Sequence, residues 1–147
     1  MIALDTNVLV YSVDDGNPVK QAKARATIRS VLASGELTVL PWQVAVEFLA
    51  KLRKWEAAGK LSADEVARRF NEFLAAWVLA IPTVKIFHLA MQLHSRYSLS
   101  HWDSLLIAAC QEAGVTCLYS EDMQHCADYD GVKIINPFAA NPNEPEA

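Results

Sequence analysis

Asp5, Glu47, Asp103 and Asp122 are carboxylates that flanking residues place at strand ends and helix starts, where side chains from distant stretches of a chain can meet. Carboxylates crowded within a few ångström repel, and at least one takes up a proton unless a cation neutralises the group. Mg2+ or Mn2+ is the natural guest, a hard ion that accepts carboxylate oxygens and keeps several waters. Such an ion orients a water, lowers its pKa and steadies charge building on a phosphoryl oxygen, and two ions can serve both attacking and leaving oxygens. Hydrolysis of a phosphodiester is the chemistry that fits best.

Each acid also has an ordinary explanation. Asp5 can cap the helix that follows it, with Asn7 capping or orienting its neighbours. Glu47 lies roughly opposite the apolar stripe of its helix, where an (i, i+4) pair with Lys51 on a solvated face is the usual arrangement. Asp103 stands three residues after Ser100, as in a helix-start cap, yet it shares a face with Ile107 and Cys110, which points it inward or into a cleft. Asp122, beside Glu121, can be turn punctuation. The four mean more together than separately.

Other chemistry-bearing residues offer no rival. His88 and His94 are six apart, not the i, i+4 spacing that binds zinc from one helical face, and His101 and His125 have no assignable partners. Cysteines 110, 117 and 126 are odd in number, lack paired metal-ligand spacing and read as reduced structural thiols. Trp42, Trp55, Trp77 and Trp102 can stack bases, but at helical positions aromatic residues are more often core than platforms. Lys51, Arg53, Lys54 and Lys60, with Arg68 and Arg69, can rim a cleft and meet phosphates, or form a solvated face.

The elements that must position these groups alternate strand and helix. Ile2-Ala3-Leu4 is an apolar run that ends in Asp5-Thr6-Asn7, as a buried parallel strand does at its carboxyl end, and ligands of open α/β sheets bind beyond such ends. Val115 to Tyr119 repeats the design before Ser120-Glu121-Asp122. Thr38 to Leu40 and Val132 to Ile135 are further strands, and Thr83 to Ile86 reads as a brief extended segment. Helices are expected from Asn7, from Pro18 behind an Asn17 cap, from Gln43 to Ala58, from a Ser62-x-x-Glu65 capping box to a stop at Pro82, from Phe87 to Tyr97, and from Ser100 to Gly114. The last is apolar almost all round, as a central buried helix is. The expected fold is α/β: three α/β/α layers around a mainly parallel sheet, with right-handed crossovers.

At 147 residues and 52% apolar content the chain fits one domain, expected over 1–138, with residues 139–147 lacking anything to bury and expected to be a disordered tail. A net charge of −4 argues against a uniformly basic nucleic-acid surface, so a polyanionic substrate must be held by clustered cations or metal. The opening residues lack a basic segment followed by a long apolar one, and no apolar stretch approaches a membrane span. Residence in the cytoplasm is the expectation.

The pieces Leu4-Asp5-Thr6-Asn7-Val8-Leu9-Val10-Tyr11, Gln43 to Phe48, Tyr97 to Ala109, Tyr119 to His125 and Ile135 to Phe138, in that order, resemble PIN-domain nucleases, specifically the VapC-type ribonuclease toxins of type II toxin–antitoxin pairs. The resemblance implies a three-layer PIN-like fold and an endoribonuclease in which Asp5, Glu47, Asp103 and Asp122 are catalytic, bind Mg2+ or Mn2+ and position the attacking water. Thr6, Asn7 and Ser120 are implied as residues that hydrogen-bond around them. A homodimer, an RNA substrate and a small cognate antitoxin that inserts a basic side chain near the acids are implied as well. Cys126 departs from the pattern, standing where relatives often place glycine after the Gln-His pair. Alternatives are a PIN nuclease of RNA processing without an antitoxin, and a domain that binds RNA or protein without catalysis. Phosphotransfer receivers and aspartyl-phosphate hydrolases need acids that Asp5-Thr6-Asn7 does not supply.

Overall fold

The computed structural model describes residues 1–140; the expected tail, 139–147, lies outside them but for its first two residues. Six strands form one sheet: β1 (Ile2–Leu4), β2 (Thr38–Pro41), β3 (Val78–Ala80), β4 (Cys117–Tyr119), β5 (Asp128–Tyr129) and β6 (Val132–Ile135), in the order β3-β2-β1-β4-β6-β5. All neighbours run parallel except β5 against β6. β1 and β2 are buried along their whole length, as strands covered on both faces must be.

From β1 the chain builds outward through β2 to β3, then returns to lay β4 on the other side of β1. The order therefore reverses between β1 and β4, which makes a crevice at their carboxyl ends. Leu4 pairs in register with Tyr119, so Asp5 and Ser120 leave the sheet side by side at that crevice.

The helices are α1 (Thr6–Val13), α2 (Pro18–Ala33), α3 (Trp42–Ala57), α4 (Ala63–Ala76), α5 (Lys85–Tyr97) and α6 (His101–Ala113). Contacts chain α1 to α2, α1 to α3 and α3 to α4, while α5 and α6 pair with each other, completing the three-layer α/β/α arrangement expected from the sequence. The Asn17 cap with Pro18 in the first turn and the Ser62–Glu65 capping box are both present. The core joins β1, β2 and β4 to the inner faces of α1, α3 and α6, with Val8, Leu9, Phe48, Leu52, Ile107 and Cys110 fully buried. Cys110, Cys117 and Cys126 are free thiols, and burial pushes the Cys110 thiol up to about 12.

Two elements differ from expectation. α4 ends at Ala76 rather than running to Pro82, and the extended segment is Val78–Ala80, not Thr83 to Ile86. Trp77 is the pivot: it is buried against Phe73, with ring centroids 4.9 Å apart, and its extended backbone turns the chain to pair Val78–Ala80 with Val39–Pro41 at the sheet edge. The short β5 is an addition. Asp130 and Gly131, at φ 51° and 96°, make the tight turn that folds it back on β6, a turn that requires positive φ at both central residues.

The capping box gives a direct test of α4. Ser62→Ala removes the acceptor of the Glu65 N–H and should cost about 1 kcal/mol, lowering the melting temperature by roughly 2–4 °C in a thermal scan. An unchanged melt would mean that α4 is held by its packed face alone.

Candidate active site

Asp5 is the first residue beyond β1 and the N-cap of α1. Its backbone N–H donates to the Tyr119 carbonyl at 2.8 Å, which continues the parallel ladder one step past the strand. One carboxylate oxygen accepts from the Thr6 N–H at 2.7 Å and the other from the Ser120 hydroxyl at 2.7 Å. The helix-capping reading is thus met by one oxygen, while the other is held by Ser120 from the far side of the crevice.

Glu47 lies in the second turn of α3, exposed to solvent. Its partners are the Thr6 hydroxyl, donating at 2.8 Å, and the Gln43 side-chain amide, donating at 3.2 Å. The ion pairs among the described residues do not include Glu47 with Lys51. Asp122 accepts from the Asn7 amide at 3.0 Å, and its own N–H donates to the Ser120 hydroxyl oxygen at 3.2 Å. Thr6, Asn7 and Ser120 therefore each hydrogen-bond to one or two of the acidic residues.

Asp103 is half-buried in the first turn of α6, above the buried Ile107 and Cys110. Ser100 caps that helix by accepting the Asp103 N–H at 3.2 Å, and among the described residues the Asp103 carboxylate accepts no hydrogen bond. Its charge nonetheless reaches Asp122.

Burial, opposed by the hydrogen bonds from Ser120 and Thr6 and reinforced by the charges of Asp122 and Glu47, pushes the Asp5 carboxyl up from 3.8 to about 6. Asp122 is raised too, first by burial, against the Asn7 hydrogen bond, and then by Glu121, Asp103 and Glu47. The four acids thus share one electrostatic neighbourhood at the crevice between β1 and β4. Among the described residues, no three His, Cys, Asp or Glu side chains converge closely enough to hold an ion between them.

The family model of the PIN domain matches residues 2–129. The chain belongs to the PIN-domain family. No curated protein matches it in sequence. Among solved structures, this PIN domain is similar to a chain of a toxin–antitoxin complex from Klebsiella pneumoniae, at 17% identity and a TM-score of 0.67, covering 93% of this chain and 98% of that one. A chain of VapBC2 from Rickettsia felis bound to a promoter DNA fragment aligns at 14% identity and TM-score 0.66, over 91% and 97% of the two chains. VapC20 of Mycobacterium tuberculosis, a toxin that cleaves the sarcin–ricin loop, aligns at 15% identity and TM-score 0.61, over 83% and 90%.

The donor set of this PIN domain fits a hard divalent cation. It consists of carboxylate oxygens, their mutual repulsion calls for positive charge, and the buried Asn7 Oδ1 beside Asp122 has no hydrogen-bond donor among the described residues. Mg2+ needs only one or two direct carboxylates and completes its shell with water, so a set too open to cage an ion still suits it. Next to the acids lies a hollow of about 540 Å³, lined by Thr6, Asn7, Glu47 and Asp122 together with Lys51 and Lys54, which follow Glu47 along the same face of α3.

Two features of this PIN domain escaped the sequence reading. Lys20 donates to Glu121 at 2.8 Å and to the Tyr11 hydroxyl at 3.2 Å, and stands over the Tyr11 ring at 4.5 Å, tying α2 to the loop that carries Asp122. A lysine on an exposed helix gives no signal of a partner 101 residues away. The other is Trp42 and Trp102, expected to be core at helical positions but 48% and 63% exposed. Cys126, where the resemblance leads one to expect glycine, has φ 64°, a left-handed conformation that glycine adopts without the steric cost a side chain meets.

Proposed function

We propose that this PIN domain is a metal-dependent endoribonuclease of VapC type, cutting RNA phosphodiester bonds as the toxin of a toxin–antitoxin pair in the cytoplasm. The observation that carries the reading is the meeting of Asp5, Glu47 and Asp122 at the sheet's reversal point, cross-linked through Thr6, Asn7 and Ser120, with Asp103 within electrostatic reach. The Klebsiella pneumoniae and Rickettsia felis neighbours come from toxin–antitoxin complexes, and the Mycobacterium tuberculosis neighbour is an RNA-cleaving toxin, which supports the same reading.

Asp5, Glu47, Asp103 and Asp122 would hold Mg2+ or Mn2+. When bound, the ion supplies an activated water and a counter-charge for the phosphoryl oxygens. Thr6 keeps Glu47 turned toward α1, Asn7 does the same for Asp122, and the Ser120 hydroxyl holds its proton against Asp5 Oδ2, so each carboxylate presents its remaining lone pairs in a defined direction. Lys51 and Lys54, lining the same hollow as the acids, receive the flanking phosphates as point charges. A small antitoxin would block the hollow by placing a basic side chain among the acids, and the active form would be a homodimer.

Purified protein should cut single-stranded RNA in Mg2+ or Mn2+ and stop on addition of EDTA; cleavage that survives the chelator, or none with either ion, would overturn the nuclease reading. The toxin assignment is tested separately. Expression should arrest growth, and the small protein of the neighbouring reading frame should copurify and relieve the arrest. Cleavage without arrest would leave an RNA-processing nuclease.

A further inference from the structure

The loop that carries Asp122 is fastened to the far half of the sheet by four hydrogen bonds. The Ser120 N–H donates to the Ile135 carbonyl at 2.9 Å, the Cys126 N–H to the Ile134 carbonyl at 2.9 Å, and the Ile134 N–H to the Ala127 carbonyl at 2.8 Å. The fourth runs from the Asn136 N–H to the imidazole Nδ1 of His125, at 2.9 Å, and is the one of the four that uses a side chain. We propose that His125 is the positioning residue for Asp122: its ring pins the loop to the end of β6, keeps the Asp122 carboxylate at the crevice and so sets how tightly the acids bind Mg2+ or Mn2+. The proposal rests on the nuclease reading and deepens it by giving control of metal binding to a residue that is neither one of the acids nor a direct hydrogen-bond partner of one.

Burial alternates along this loop. Asp122 and Gln124 face solvent, while Met123 and His125 are plugged into the protein at 6% and 2% exposure. A backbone N–H can only donate, so Nδ1 of His125 carries a lone pair and a ring hydrogen belongs on Nε2. That Nε2 is buried and has no hydrogen-bond partner among the described residues. An unpartnered buried donor costs stability, and an apolar side chain would fill the same space without it, so the ring is there for its acceptor. The grip reaches both sides of the acid. Asn136 Oδ1 accepts the Phe138 N–H at 2.9 Å, and the Phe138 ring meets Tyr11 edge-on at 5.2 Å, beside the Lys20 ammonium that holds Glu121. Asp122 therefore sits between Glu121, tied by Lys20, and His125, tied by Asn136. Its own bond from Asn7 spans 3.0 Å, so a slip of the loop by about an ångström detaches it from α1.

The test titrates Mn2+ calorimetrically into wild type, His125→Asn, His125→Gln and His125→Leu, each checked by a thermal melt. Asparagine puts an amide oxygen where Nδ1 stands and can accept from Asn136; the glutamine amide reaches one methylene farther, to the place of Nε2, and leucine has no acceptor. His125→Leu and His125→Gln should weaken Mn2+ binding by about 10- to 100-fold, the range for residues that orient a metal ligand from behind, and His125→Asn should recover most of that loss. In the metal-free protein, hydrogen exchange at the Asn136 amide should stay slow in wild type and His125→Asn and become fast in the other two. In an Asp122→Asn background, His125→Leu should add no further loss of Mn2+ affinity, because it acts through that carboxylate. Wild-type affinity in folded His125→Leu and His125→Gln, an equal loss in His125→Asn, or a full additional loss in the Asp122→Asn background would each refute the positioning role while the nuclease reading stands. Should His125→Leu fail to fold, His125→Asn against His125→Gln decides alone, since the two carry the same amide at different reach. If wild type neither binds Mn2+ nor cleaves RNA in its presence, the nuclease reading fails and takes this inference with it.

Discussion

Asp5→Asn should melt at a higher temperature than wild type at pH 8 and lose RNA cleavage by about 10²-fold or more, since even partners one bond removed from a metal ligand are worth 10- to 100-fold. The stability effect follows from the carboxyl's position at about 6 in the folded chain against 3.8 in the unfolded one. Between those values the folded state holds more protons, so stability contributed by Asp5 is present at low pH and is lost as pH rises through that window. The full shift corresponds to about 3 kcal/mol in the metal-free protein. Asparagine carries no charge and removes the penalty, though its amide must replace an oxygen that accepted from Ser120, so a net gain of about 1–2 kcal/mol is expected at pH 8. At pH 4 the two proteins should melt alike. Saturating Mn2+ should narrow the gap by stabilising wild type alone. A variant that is no more stable at pH 8, or that cuts RNA as fast as wild type, would contradict the site described for Asp5.

Phe48→Ala should be the most damaging single truncation in the core. The ring is fully buried, meets Phe73 edge-on at 5.2 Å and Phe70 at 6.5 Å, and joins α3 to α4. Removing it leaves a cavity and costs about 3–5 kcal/mol, a large part of the 5–15 kcal/mol that holds a domain together. Phe48 also follows Glu47 directly, so loosening of α3 reaches the acid that Thr6 and Gln43 hold. Chemical unfolding should show the midpoint falling steeply with an unchanged slope, and Phe48→Leu should lose far less. A loss under 1 kcal/mol for the alanine variant would show that α4 collapses onto the space.

The acids were legible because strands announce their ends. Ile2-Ala3-Leu4 breaks into Asp5-Thr6-Asn7 and Thr116-Cys117-Leu118-Tyr119 into Ser120-Glu121-Asp122, and both strands end where that change of polarity implies. Glu47 was harder, because a helical wheel shows an exposed glutamate and nothing of Thr6, which only the packing of α1 on α3 brings to it. β3 was hidden by Trp77, which continues the apolar spacing of Phe70 and Phe73 as though the helix ran on. β5 is two residues long, and its one sequence signal is the Asp130-Gly131 turn. The exposure of Trp42 and Trp102 was illegible for a different reason: apolar periodicity assumes a covered face, and the first turns of α3 and α6 border an open hollow beside α5 that leaves both indoles exposed.

Asp5 and Ser120 are 115 positions apart, yet one hydroxyl joins them. During synthesis from the amino end, Asp5 and Glu47 exist long before their counterparts on α6 and in the loop after β4 have been made, and β1 lacks one of its two flanking strands until then. An unfinished chain is therefore incapable of the proposed reaction until the segment beyond β4 has been made and β4 has paired with β1.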